Sequence, residues 1–402
     1  METQNRALMM QGRGDPGQVI AQEWGNTFEL VNVDTSAVAL PKGLDALAIL
    51  HPQALTASLK FEIDQFLLSG HPVFLAVDPS SLYYKQQSGM LVSIGSAPPN
   101  ASSNLPELLK AYGIEYDADS VVGDENRATQ TRDNNGNPVR TPVWLTLDGT
   151  NFNKAVQPAG PVNMVRLIEA GALAPTAGSK LTFTPVVQST ESGGMIKSDL
   201  LMINSGELLT RALQASGKKT LAALVTGKFP SAFPNGAPAE PADPANPAPK
   251  PALTVPALKE SSGTSTLFIV ADTDWFLDPV AVQKQTFLGQ TYIQPRGDNL
   301  AFATNVMEFL GGSSDLINIR GKGNSARPFD VVQAMEVEAN RQYQDKAAGL
   351  EKRLTEIQTR LDEIAGKNQD NVRLVASAET TQAIWKDHPE KTLGTTDEWV
   401  KK

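Results

Sequence analysis

Three apolar runs constrain this chain more than any other feature. They are the centres of "DALAILHP" (Asp45–Pro52), "HPVFLAVDP" (His71–Pro79) and "STLFIV" (Ser265–Val270). A strand with one solvated face alternates apolar and polar residues. A near-continuous apolar run has no solvated face, as in a parallel strand covered on both sides. Between the first two runs lies "TASLKFEIDQFLLSG", with Leu59, Phe61, Ile63, Phe66 and Leu67 mostly at helical spacing and Gly70 to stop it. Strand, helix and strand in that order predict an α/β fold around a mostly parallel sheet.

The neighbouring segments extend this pattern. "ALMM" (Ala7–Met10) and "FELVNV" (Phe28–Val33) read as strands, and "DPGQVIAQEW" as a helix with Asp15 as N-cap and Pro16 at its first position. Further on, "LPELLKAYGIEYD" holds a helix ending at Gly113, and "TPVWLTLDG" (Thr141–Gly149) alternates like a strand. "PVNMVRLIEAGAL" (Pro161–Leu173) reads as a helix. "KLTFTPVV" and "TLAALVTGKF" read as strands, and "DNLAFATNVMEFLGG" as a helix capped by Asp298. The Pro/Ala stretch 235–252 cannot bury enough apolar surface to order itself and reads as an extended exposed loop.

From about Asp330 the period changes. Tyr343, Ala347, Leu350, Leu354, Ile357, Leu361 and Ile364 alternate spacings of four and three, an a/d seam wrapped in charge. The expected organisation is an α/β domain over 1–329, a coiled-coil helix over 330–366 and a polar, poorly ordered tail over 367–402.

Composition removes several function classes. With 41% hydrophobic and 20% charged residues the chain has the make-up of a globular protein. Its net charge of −9 and the lack of a basic patch argue against nucleic acid as a partner. No cysteine is present, which removes disulfides, thiolate metal sites and cysteine nucleophiles. The histidines are His51, His71 and His388, too few for a multi-histidine zinc site. Neither a signal peptide nor a run of about 20 apolar residues is visible.

"ADTDWFLD" (Ala271–Asp278) carries the most chemical-looking carboxylates. On an extended strand Asp272 and Asp274, at i and i+2, would share a face and could hold a hard cation or act as an acid/base pair. The plainer reading is that they end the strand, cap the next helix or pair with Arg320 or Arg327. "GDENR" (Gly123–Arg127) and "RDNNGNP" (Arg132–Pro138) have calcium-loop composition without EF-hand spacing. "GKGNS" (Gly321–Ser325) lacks the strand–loop–helix context of a P-loop. Arg320, Lys322 and Arg327 cluster before the coiled coil, as a solvated face or a contact for a partner subunit or lipid headgroups.

Five segments in order, "LAILHPQALTASLKFEIDQFLLSGHPVFLAVDP", "LLKAYGIEYDADSVVGD", "LAALVTGKFPSAFPNG", "LFIVADTDWFLD" and "DNLAFATNVMEFLGGSSDLINIRGKGNSARPF", resemble the Gldg family. Its members are auxiliary components of an ABC-type transport system linked to gliding motility. The resemblance implies a sheet similar to the class I glutamine amidotransferase fold. It also implies a place on the outer, periplasmic side of the inner membrane, with anchors at both ends, and permease and ATPase subunits as partners. It carries over no catalytic, cofactor-binding or metal-binding residue, and amidotransferase chemistry would need the missing cysteine. Against that pattern the chain reads as a soluble portion of such a protein and as a non-catalytic subunit. A carboxylate-dependent hydrolase acting on carbohydrate and a structural coiled-coil oligomer are the alternatives.

Overall fold

The computed structural model describes residues 17–86, 101–132, 138–203, 206–238, 257–287, 290–312 and, singly, 353. The chain divides into two compact units, Met1–Ser325 and Ala326–Lys402, and the fold below is that of the first. The expected strand Ala7–Met10, residues Asp15 and Pro16, most of the loop 235–252, "GKGNS" (Gly321–Ser325) and the heptads lie outside the described residues.

The strands in chain order are β1 (Leu47–Leu50), β2 (Val73–Ala76), β3 (Ile114–Tyr116), β4 (Ser120–Asp124), β5 (Ala128–Arg132), β6 (Pro138–Asp148) and β7 (Met164–Ile168), then β8 (Leu173–Pro175), β9 (Thr182–Gln188), β10 (Gly193–Lys197), β11 (Thr220–Gly227), β12 (Ser265–Val270), β13 (Val282–Phe287) and β14 (Gln290–Pro295). The helices are α1 (Gln18–Gly25), α2 (Ala57–Leu68), α3 (Pro106–Ala111), α4 (Gly206–Ala212), α5 (Asp278–Ala281) and α6 (Asn299–Leu310).

The central sheet runs β1-β2-β12-β11-β8-β3, with β9 also paired to β11. It is mixed. β1, β2 and β12 are parallel neighbours, whereas β11 pairs antiparallel with β12, β8 and β9, and β3 antiparallel with β8. The three apolar runs of the sequence are the three parallel strands. Their continuity has a direct cause, because helices cover both faces. Phe74, Ala76, Phe268 and Val270 point into one core with α1 and α6, and Val73, Leu75, Leu267 and Ile269 into the other with α2 and α3. The first core is aromatic: Phe268 lies 6.2 Å from Phe74 and 6.1 Å from Phe302, ring centre to ring centre.

Helix α2 begins where Thr56 accepts the Leu59 N–H and ends before Gly70, whose φ of 101° a side chain would resist. A three-stranded sheet β5-β6-β7 and the pair β4-β10 flank the main sheet, and β13-β14 form a hairpin.

Two expectations fail. Phe28–Val33 is not a strand: Leu30 and Val31 are 46% and 50% exposed. Its apolar residues find no ladder partner, and a strand without one leaves its backbone groups unpaired. Pro161–Leu173 is not a helix but holds β7 and the first residue of β8. The same spacing reads as a strand with Val165 and Leu167 buried on one face, and β6 supplies the pairing that decides it. Glu169, at φ 53°, then turns the chain out of β7.

Candidate functional site

β2 and β12 lie in register, Ala76 beside Val270. Two residues further on, each strand carries an aspartate, Asp78 and Asp272. His51 follows β1, donating its backbone N–H to Ala76 O at 3.0 Å. Three adjacent parallel strands therefore deliver polar residues to one carboxyl-terminal edge, where ligand sites of open α/β sheets collect. Asp274 completes the cluster. One oxygen from each of Asp78, Asp272 and Asp274 lies within 4.8 Å of the others.

The aspartates converge differently from the sequence expectation. Asp272 and Asp274 do not sit on an extended strand, since β12 ends at Val270. Asp272 folds the chain back by accepting the N–H groups of Asp274 (2.6 Å) and Trp275 (3.1 Å) on Oδ1. This side-chain-to-backbone turn is typical of Asp and Asn. Asp272 Oδ2 accepts the Ile168 N–H at 2.6 Å and so ties β7 to the site.

Every other carboxylate oxygen is also occupied. Asp78 accepts from Ser80 N on Oδ1, and from Thr273 N and Oγ1 on Oδ2 (2.7, 2.8 and 2.7 Å). Asp274 accepts from Ser81 Oγ and Tyr83 N on Oδ1, and from Leu82 N on Oδ2 (2.9, 3.2 and 2.5 Å). Asp274 thus caps the helical turn 82–86, nearly two hundred residues earlier in the chain and not the helix that follows it. Oxygen donors of this kind suit Mg²⁺ or Ca²⁺. A cation here would compete with nine N–H and O–H donors that the three side chains already satisfy.

The periphery is polar as well. The His51 ring stacks on Tyr84 at 4.1 Å, and its Nδ1 lies 3.3 Å from Thr273 Oγ1. Glu169 accepts from Ser80 Oγ at 2.8 Å and pairs with Lys85. In the sequence Asp272 and Asp274 stand out as a pair, whereas Asp78 and His51 are only the polar residues that follow two apolar runs. The sequence does not single out Glu169, Lys85, Tyr84 or Thr273. One signal was available: "VFLAVD" and "LFIVAD" carry their aspartate at the same offset from two buried runs.

Burial dominates the electrostatics. Asp78 and Asp272 are 0% exposed and Asp274 1%. Burial, then the charge of Asp274, pushes the Asp78 and Asp272 carboxyls well above the usual carboxylate range. Burial raises Asp274 to about 6. Burial and Asp274 also raise the Tyr84 hydroxyl. A carboxyl whose folded pKa exceeds its unfolded value stabilises the fold below the unfolded value, and that contribution is lost as pH rises through the folded one. Chemical denaturation is therefore expected to show greater stability at pH 5 than at pH 7.5, by on the order of 2 kcal/mol for the cluster. Asp274→Asn should flatten that profile, and an unchanged profile would contradict the assignment.

Other candidates are separate from this edge. Asp124 of "GDENR" is buried and accepts from Asn126 N, Thr190 N and Thr190 Oγ1, which makes it a loop anchor and not a calcium ligand set. His71 is exposed, 2.8 Å from Ser69 Oγ and stacked on Phe66. His388, Arg320, Lys322, Arg327 and the centre of "RDNNGNP" lie outside the described residues.

Among the described residues no helix is long and apolar enough to cross a membrane. Among curated proteins no match is found. Residues 3–306 match the model of a family described as an ABC-type uncharacterized transport system. That match spans most of the chain, both faces of the sheet and the aspartate cluster, and the chain belongs to this family of auxiliary components of ABC-type transport systems.

Proposed function

We propose that this protein is a non-catalytic accessory subunit of an ABC transporter, working on the periplasmic side of the inner membrane as a partner- or ligand-binding module. One observation carries the reading. The cluster that most resembles a catalytic centre has all six carboxylate oxygens engaged by loop donors and almost no exposed surface. A general base needs a proton within reach of a substrate pose, and a nucleophile needs an open approach. The aspartates instead close the turns after β2 and β12 and fix the helical turn 82–86. The absence of any cysteine agrees with this, given the amidotransferase-like sheet that the Gldg resemblance implies.

The same reading assigns the gliding-motility type of system, and gives 330–366 the role of a coiled-coil link to the membrane part or to a second copy. Membranes containing the cognate permease and ATPase test it. A tagged copy of the chain should retain both subunits through detergent extraction, and their loss under conditions that keep permease and ATPase together would overturn the proposal. Light scattering before and after deletion of 330–402 tests the link: an unchanged number of subunits excludes it as the assembly element.

A further inference from the structure

Arg166 and Arg296 are two guanidinium groups that join no ion pair among the described residues. Their positions are closely determined. Asn299, at the start of α6, accepts the Arg166 N–H at 3.0 Å and donates to the Arg166 carbonyl at 2.8 Å. Asp298 donates its N–H to Met164 O at 2.7 Å. At Gly297 a Cβ would come within 2.9 Å of Met164 Cε and 3.0 Å of Met164 O. The segment 296–299 is thus laid directly on 164–166. Arg296 is held in turn by its N–H to Ala281 O (2.8 Å) and its Nε to Val282 O (3.0 Å).

Arg166 Nε is buried and has no hydrogen-bond acceptor among the described residues. Burial, and then the charge of Arg296, lower the Arg166 pKa from its ordinary value. Among the described residues no carboxylate pairs with either guanidinium. Asp298 Oδ2 accepts the Asn163 and Met164 N–H groups at 2.7 and 3.1 Å, and Asp278 pairs with Lys284 at 2.6 Å. Neither approaches a guanidinium within ion-pair distance. Opposite Arg166 in the β6–β7 ladder stands Thr146, on the same face, its hydroxyl 2.8 Å from that of Thr129.

A desolvated donor beside a like charge is costly unless an anion answers both. Guanidinium forks match the oxygens of phosphate and carboxylate groups. Two cations and a hydroxyl on different sides of a site suit a tetrahedral phosphate, whose oxygens point in four directions, better than a planar carboxylate, whose two oxygens lie in one plane. We propose that Arg166 and Arg296, with the Thr146 hydroxyl, form a phosphate-binding site where β7 meets the start of α6. The phosphate is either free or the headgroup of an anionic lipid.

The test is calorimetric titration of the full chain with inorganic phosphate at low ionic strength, alongside sedimentation with phosphatidylcholine vesicles with and without phosphatidylglycerol. Saturable binding is expected. Arg296→Gln, at an exposed position, and Arg166→Lys, which keeps the charge and loses the fork, should each weaken it at least about tenfold. Lys110→Gln, elsewhere on the surface, should leave it unchanged. Phosphatidylglycerol-dependent sedimentation that free phosphate competes away identifies a headgroup as the source. Phosphate binding without such sedimentation identifies the free ion. Binding to neither probe, or binding that both arginine variants retain while near-ultraviolet circular dichroism shows them folded, overturns the proposal.

Discussion

Asp272→Ala is expected to lower stability by about 3–5 kcal/mol in urea denaturation. The side chain accepts three N–H groups, from Ile168, Asp274 and Trp275, and all three are buried with it. Truncation leaves them without an acceptor in a place that water does not reach, at about 1–3 kcal/mol each, partly offset by the loss of a buried acidic group. Asp272→Asn separates these terms. It keeps an oxygen for Asp274 and Trp275 and gives up the Ile168 bond, so about 1–2 kcal/mol is expected. If alanine costs no more than asparagine, the turn does not depend on the carboxylate.

Trp275→Ala should cost a similar amount, about 3–5 kcal/mol. Trp275 is fully buried and packs 5.3 Å from Phe302 and 5.4 Å from Phe276, ring centre to ring centre. It joins the turn made by Asp272 to the aromatic core under α6, so the loss propagates into the cluster. Its indole N–H has no hydrogen-bond partner among the described residues. Trp275→Phe removes that unsatisfied donor while keeping most of the ring, and should cost less than about 2 kcal/mol. Equal losses for the two variants would mean that the indole N–H is satisfied in solution.

The parallel half of the sheet was legible because its burial is written in composition. β1, β2 and β12 are covered by helices on both faces, so both faces of their central positions are apolar. Helices α2 and α6 were legible from periodicity together with their end signals, Thr56 and Gly70 for one and Asp298 for the other. Asp298 caps with a difference: its carboxylate serves Asn163 and Met164 and not its own helix. Phe28–Val33 and Pro161–Leu173 were misread because short apolar runs fit both periods, and the presence or absence of a distant pairing partner decides between them. The antiparallel half of the sheet depends on such pairings throughout, as in β11 with β9.

The site was half legible for the same reason. Asp272 and Asp274 are neighbours in sequence, whereas Asp78 meets them only through the parallel register of β2 and β12. Glu169 arrives through a left-handed turn after β7, a strand misread as helix. The occupation of the carboxylate oxygens by the backbone N–H groups of residues 80, 82, 83 and 168 and the hydroxyl of Ser81 leaves no mark in the sequence at all. That occupation is what separates a loop anchor from a catalytic pair.

The most direct test of the account measures ATP hydrolysis by the assembled transporter, with this chain carrying Asp272→Asn or Asp274→Asn. Each variant, once shown to be folded and to co-purify with the permease and ATPase, is expected to support the same rate as the unaltered chain. A folded, assembled variant whose rate collapses would contradict it, and would make these aspartates part of the working chemistry.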